Sequence, residues 1–476
     1  MLAAVLAFAV LVRVREALAT RFWFDEIFTL SIARAGFPGL FGLAAADVHP
    51  PLHYLAVWAW RALGGEGDLW LRTLSILFGV ATVAVLAGLA RGMFDRRAAL
   101  VAAALLAIHR SHVYFSAESR SYILLWLCYA LLLWFAWRWV ERGRRRDAVG
   151  FALAAAGALY THYQAAIVLA CVGAWGLVAL RRDRRRLLQW IGLSLAVAVL
   201  FVPQLPTFFA QLQRVQAARW APPDSPGGLH DFLRQLSFGA GYLILPLILL
   251  ATLPLFDRQR RRAVSLLWAF GLPPLLYSYL GSMQGGYLYT PRYMFFVLPV
   301  WCALLAAGIT GLRWSWLRGG LTLAVFALGL RSLALHQPHQ ESVSLAQAGA
   351  YLEKHVRPGD LVFHAETHSM LFFTRYMPRL GRHRLLLANP PLEYYEGALF
   401  IPDSVRATPE GFVRARESRA RWWGVHTRHA STHAPPALEL LRAGSHGTPL
   451  RFGLTTVMRG MAADSATAES QVRVAR

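Results

Sequence analysis

Apolar runs long enough to cross the roughly 30 Å hydrocarbon core of a bilayer recur about eleven times along the chain, and they leave few architectures open. Their approximate bounds are 1–20, 69–90, 98–115, 120–140, 148–164, 165–181, 188–206, 236–256, 264–281, 291–312 and 316–335. Composition points the same way. Hydrophobic residues make up 56% of the sequence and charged ones only 16%, with a mean hydropathy of +0.39. So few charges would hardly keep a soluble chain of 476 residues in solution. The net charge of +23 would suit a nucleic-acid ligand, but the arginines sit in short clusters between apolar runs, so no nucleic-acid partner is expected.

Those clusters set an orientation. Arg91, Arg96 and Arg97 follow the second run; Arg138, Arg142 and Arg144 to Arg146 follow the fourth. Arg181, Arg182 and Arg184 to Arg186 follow the sixth, Arg258 and Arg260 to Arg262 the eighth, and Arg313 and Arg318 the tenth. Each comes after an even-numbered run, so the positive-inside bias places all of them in the cytoplasm if the N-terminus is inside. The expected location is the inner cell membrane, multi-pass. The first run lacks a basic segment ahead of it, and the acidic pair Asp25-Glu26 follows soon after, so it reads as the first span and not as a signal peptide. The three cysteines, Cys128, Cys171 and Cys302, lie inside apolar runs without zinc-ligand spacing, and read as packing residues.

Residues 1–335 therefore read as a transmembrane domain with a first external loop at 21–68. Residues 336–476 read as a small extracytoplasmic α/β domain. Helices are expected over Val343 to His355 and Met370 to Tyr376, strands over Asp360 to His364 and Arg421 to His426, and a helix-to-strand turn at Pro358-Gly359.

Ionisable groups next to membrane spans are costly and call for a reason. Phe24-Asp25-Glu26 follows the first span. Asp47-Val48-His49-Pro50-Pro51-Leu52 stiffens a turn around an acid and an imidazole, and suits a phosphate or a metal; a lone Asp-x-His is a weak metal signature. In Glu118-Ser119-Arg120-Ser121-Tyr122, a helical start would put Glu118 and Tyr122 on one face. Tyr160-Thr161-His162-Tyr163 ends a span, and Tyr289-Thr290-Pro291-Arg292-Tyr293 opens one with an arginine on the outer side, against the charge bias. Singly, each has a bland reading: solvated carboxylates, a satisfied interface histidine, a snorkelling arginine. Together they place acids, histidines and arginines on one surface, which is an enzyme's inventory more than a scaffold's.

These motifs, in this order and with this sidedness, resemble the GT-C superfamily of membrane glycosyltransferases, in the bacterial branch of glycosyltransferase family 39 related to protein O-mannosyltransferases and lipid A aminoarabinose transferases. The likeness runs from about residue 20 to 335 and also includes Arg72 with Ser75. It implies a sugar donor on a polyprenyl phosphate, held at the membrane surface, and transfer with inversion to an acceptor hydroxyl. It implies Asp25 as the base, Glu26 as its backup or positioning partner, and Glu118 as a second acid orienting acceptor or sugar. His49, Arg120, Arg292, Tyr293 and Tyr122 are implied for the donor phosphate. At His49 the aminoarabinose relatives carry a lysine. Alternatively, Asp47 and His162 hold a divalent metal beside the phosphate. Other readings stay open: an O-antigen polymerase or ligase, a lipid-linked-sugar flippase or transporter, or an assembly protein. Against a transporter stand the absence of an internal repeat and the clustering of charge at one surface. Neither the sugar nor the acceptor is legible.

Overall fold

The computed structural model describes residues 1–218, 226–283, 291–387, 400–418, 421–428 and 436–460. It is mostly helical and divides into two compact units, Met1–Leu18 with Leu40–His336, and Ala19–Gly39 with Gln337–Arg476. Residues 19–39, read from the sequence as part of an external loop, thus cluster with the C-terminal region.

In the first unit, among the described residues, six helices are long and apolar enough to cross a membrane: Asp68–Met93, Tyr122–Arg142, Arg184–Val215, Arg261–Leu280, Arg292–Gly311 and Ser315–Ala334. Two bent pairs raise the number to as many as eight. The expected spans 1–20, 148–164 and 165–181 are the helices Leu2–Leu18, Arg145–Leu159 and Ala165–Leu180, each shorter than 18 residues. Burial separates the centre from the rim. The helix Arg292–Gly311 has 89% of its apolar window buried, whereas Arg184–Val215 has 11%, as a helix with an apolar face turned to lipid would.

Two expected straight spans are broken. The run 98–115 is Arg96–Ile108 and Arg110–Ser116, bent by 65°. The break leaves helix-end carbonyls without intrahelical donors, and Arg13 of the first helix answers one of them. Its Nη1 donates to the Ala9 and Ala107 carbonyls at 2.9 and 3.1 Å, and its Nη2 lies 2.6 Å from His112 Nδ1. Arg13 is fully buried, so Arg13→Met strands these acceptors. Thermal unfolding in detergent is expected to show a loss of about 1–3 kcal/mol. The run 236–256 is likewise Leu229–Leu236 and Gly241–Phe256, bent by 76°, with Phe238 and Gly239 at positive φ between them. Arg72 is buried, and its Nη1 donates to the Ala17 carbonyl at 2.7 Å, which fastens the end of the first helix.

In the second unit, the strands β1 (Leu361–His364), β2 (Arg382–Leu386), β3 (Arg406–Ala407), β4 (Trp422–Thr427), β5 (Leu450–Phe452) and β6 (Thr455–Gly460) form a sheet of order β3-β2-β1-β4-β6-β5. β3, β2, β1 and β4 run parallel; β6 and β5 are antiparallel. Every residue of β4 is buried, as a central parallel strand covered on both faces requires. The helices Gln340–His355 and Thr367–Tyr376 and the strands β1 and β4 match the segments expected from the sequence to within a few residues, and Gly359 turns with φ +93°.

A pair of imidazoles is sealed beside this sheet. His364 Nε2 lies 3.0 Å from His383 Nδ1, His364 Nδ1 lies 3.0 Å from Ser369 Oγ, and His383 Nε2 lies 3.0 Å from the Met377 carbonyl. Burial, and for His364 also the neighbouring His383, holds both below the ordinary histidine value. Folded pKa values depressed in this way mean that the unfolded chain binds more protons below about pH 6.5. The stability from this pair is present above that pH and lost as the pH falls below it. Melting curves at pH 7.5 and 5.5 are expected to show a lower transition for this unit in acid, and His364→Gln to flatten the difference.

Candidate functional site

Asp47 ends the helix Gly36–Ala46, and the double proline turns the chain into the helix Leu52–Gly64. That turn brings the Asp47 carboxylate under two donors. Tyr54 Oη donates to its Oδ2, and His49 Nδ1 lies 3.3 Å from the same oxygen. Its backbone is fixed from a distant helix, Leu205–Ala218. Gln211 Nε2 donates to the Ala44 carbonyl at 2.7 Å, and Arg214 Nη1 to the Ala45 and Asp47 carbonyls at 2.6 and 3.3 Å. Burial works against the Asp47 carboxylate, but His49, Tyr54 and the Arg120 charge outweigh it and hold the carboxyl below its ordinary value.

From His49 the site continues ring by ring. The His49 and His162 rings meet edge to face at 5.6 Å, His162 and Tyr293 at 5.0 Å, and Tyr293 and Tyr122 lie tilted at 6.0 Å. The Arg120 guanidinium lies 5.9 Å from the Tyr122 ring centroid, and its charge acts back on Asp47. Asp47, His49, His162, Tyr293, Tyr122 and Arg120 thus form a closed circuit in the first unit, drawn from segments far apart in sequence. Arg292 is half-buried beside Tyr293. Tyr289 and Thr290 of the same motif lie outside the described residues.

The helical start that would put Glu118 and Tyr122 on one face is not formed. Residues 117–120 are bends, and the helix begins at Tyr122, so Glu118 and Tyr122 do not share a helix face. The local account is the bend itself: the Arg120 amide donates to the Glu118 carbonyl at 2.9 Å, a turn contact in place of a helical one. Both side chains are buried.

Asp25 and Glu26 belong to the second unit, in the first turn of the helix Phe24–Arg34, where the helix dipole favours carboxylates. They differ in surroundings. Asp25 is half-exposed; Glu26 is fully buried and accepts the Trp23 amide at 3.4 Å, a capping contact. Of the pair, Asp25 is the one with solvent access.

Among the described residues, Asp47 and His162 belong to no group of three or more His, Cys, Asp or Glu side chains placed to hold an ion. Asp47 is engaged by Tyr54 and His49, and His162 Nδ1 accepts the Gln164 amide at 3.2 Å. Gln211 and Arg214 escaped the sequence reading because they fall in what looked like an external loop. Arg214, like Arg292, falls where the expected orientation leaves few arginines, and that was the available signal.

Residues 48–207 match the family described as dolichyl-phosphate-mannose-protein mannosyltransferase, a stretch that includes His49, Glu118, Arg120, Tyr122 and His162. No curated protein matches the chain. Among solved structures, the chain is similar to ArnT from Cupriavidus metallidurans bound to undecaprenyl phosphate, at 15% identity and TM-score 0.63 over 97% of this chain and 98% of that one. The apo form of the same protein matches at 17% identity with the same coverage and TM-score. The Archaeoglobus fulgidus oligosaccharyltransferase tethered to an acceptor peptide matches at 12% identity and TM-score 0.52, over 94% of this chain and 72% of that one. With an ArnT-like fold along nearly its whole length and the mannosyltransferase match inside it, the chain resembles the GT-C membrane glycosyltransferases, in the family 39 branch.

Proposed function

We propose that the chain is an inverting glycosyltransferase that moves a sugar from a polyprenyl phosphate to an extracytoplasmic hydroxyl on a lipid, polysaccharide or protein. The observation that carries this reading is the circuit of Asp47, His49, His162, Tyr293, Tyr122 and Arg120, buried except at the half-buried His162 and Tyr293. A guanidinium at 7% exposure, set against the Tyr122 ring in a site that also holds His49, His162 and Tyr293, suits a sugar-phosphate headgroup, because a charge so little screened acts strongly on an anion.

In this reading Arg120, with Arg292, Tyr122, Tyr293 and His49, stabilises the charge that grows on the phosphate oxygen as the bond to the anomeric carbon breaks. Asp47 holds His49 and Tyr54 in place. Asp25 takes the proton of the acceptor hydroxyl as its oxygen bonds to the anomeric carbon. Glu26 positions the Asp25 turn, and Glu118 orients sugar or acceptor. The polyprenyl phosphate leaves from the opposite face of the sugar, which gives inversion. The membrane placement is proposed along with it: inner membrane, N-terminus cytoplasmic, residues 1–335 as the membrane domain and 336–476 as the extracytoplasmic domain. Protease added outside spheroplasts is expected to cleave within 336–476 and not within the arginine clusters.

The test uses the purified full-length protein in lipid, a panel of radiolabelled undecaprenyl-phosphate sugars and membrane extract. Label is expected to enter a new glycosidic bond with release of undecaprenyl phosphate. Label that crosses sealed vesicles still attached to its phosphate would overturn the reading in favour of a flippase.

A further inference from the structure

The segment that carries Asp25 is gripped by the C-terminal region of its own unit. The Phe22 amide donates to Tyr376 Oη at 2.8 Å, and Ser342 Oγ donates to the Arg21 carbonyl at 2.8 Å. Trp23 stacks on His339 at 4.4 Å, and the Phe28 ring meets Phe400 edge-on at 4.9 Å. The tightest of these contacts is next to Asp25 itself. The Phe24 ring lies flat on His368, with centroids 4.0 Å apart and planes within 9°. His368 Nδ1 is 2.9 Å from Glu341 Oε1. Three carboxylates act on this imidazole through their charge: Glu341 of the helix Gln340–His355, Glu366 at the cap of the helix Thr367–Tyr376, and Asp25 of the helix Phe24–Arg34.

We infer that His368, clamped between Glu341 and the Phe24 ring, is a positioning residue for Asp25, so that the C-terminal α/β region sets the pose and charge of the proposed base. This rests on the reading of Asp25 as the base. The electrostatics agree with the geometry. Burial works to lower the imidazolium, but Glu341, with Glu366 and Asp25, outweighs it and holds His368 up at about 9. The imidazole is therefore charged at neutral pH. A cation beside Asp25 favours its ionised form, the form that accepts a proton. Glu366 is spoken for by its own cap: it accepts the Ser369 and Thr427 amides at 2.9 and 3.0 Å.

Two measurements on the full-length protein test this. The first needs no substrate. With ¹³C-labelled histidine, the His368 resonance is identified by its loss in His368→Gln. It is expected to titrate near 9 in wild type and clearly lower in Asp25→Asn, because coupling between two titrating groups is reciprocal. A His368 resonance indifferent to Asp25→Asn overturns the inference whatever the transfer assay shows. The second is the pH–rate profile for transfer from the undecaprenyl-phosphate sugar panel. His368→Gln is expected to move the acidic limb up by about one pH unit and to lower kcat with donor KM unchanged. Should His368→Gln fail to fold, Glu341→Gln decides, with an expected drop of the alkaline limb from its position near 9. If Asp25→Asn keeps full turnover, the assignment of the base fails and the positioning role with it. If Asp25→Asn is inactive while both profiles stay unmoved, only the positioning role fails.

Discussion

Asp25→Asn is expected to lower kcat for sugar transfer by about 10²–10⁴-fold, the usual contribution of a positioned general base, while leaving donor KM close to wild type. Asparagine keeps the size and the helix position of the side chain but cannot take the hydroxyl proton. The neighbouring acid supplies the control. Glu26 is buried and serves the cap of its own helix, and a glutamine accepts the same Trp23 amide. Glu26→Gln is therefore expected to keep most of the turnover. The two carboxylates are adjacent in sequence, so a merely electrostatic effect of removing one negative charge would strike both variants alike. Initial rates over a range of donor concentrations separate the outcomes. Equal rates for Asp25→Asn and wild type would remove Asp25 from the mechanism.

Arg120→Gln carries the second large effect, a fall of about 10²–10³-fold in kcat/KM for the donor, comparable to the loss of one preorganised charge-stabilising donor. The guanidinium sits behind the Tyr122 ring with little solvent to screen it, so its charge acts at close to full strength on a nearby phosphate. Glutamine keeps hydrogen-bonding capacity and removes the charge. Inhibition by added undecaprenyl phosphate checks the assignment independently of turnover: the variant should need far more of it than wild type. Arg120→Lys is expected to recover only part of the activity, because a point charge does not reproduce the planar fork. Unaltered inhibition in Arg120→Gln would move the phosphate away from this circuit.

Much of the membrane region was legible because hydropathy and arginine placement are local properties. The helices at 68–93, 122–142 and 315–334 are readable from their own residues alone. So were the alternating elements near residues 343–364, where turn residues punctuate short apolar segments. The size of the bend at His109 was not legible. The polar stretch His109-Arg110-Ser111-His112 shows where the apolar run weakens, but the bend itself is accommodated by Arg13, almost a hundred positions earlier. The helix start near 120 was legible, but the placement of Glu118 and Arg120 was not: helical spacing from Glu118 is a local inference, and the bends at 117–120 put these side chains in the interior instead. Within the candidate site, sequence order was enough to nominate Asp47, His49, Arg120, His162 and Tyr293. It did not show that their rings and charges form one circuit, nor that Gln211 and Arg214 anchor its first corner. Those are contacts between distant segments, and periodicity carries no information about them.

The sharing of residues 19–39 with 337–476 has a practical consequence for anyone cutting this chain. Scissors applied at residue 336 would free a fragment that is missing part of its interior. Phe22, Trp23, Phe24, Ile27 and Phe28 are all buried in the intact chain, and the surfaces that Phe22, Trp23, Phe24 and Phe28 meet on Tyr376, Arg375, His339, His368 and Phe400 would be left bare. Residues 337–476 produced alone should come out sticky and poorly folded, and a fragment that restores 19–39 through a linker should be the soluble one.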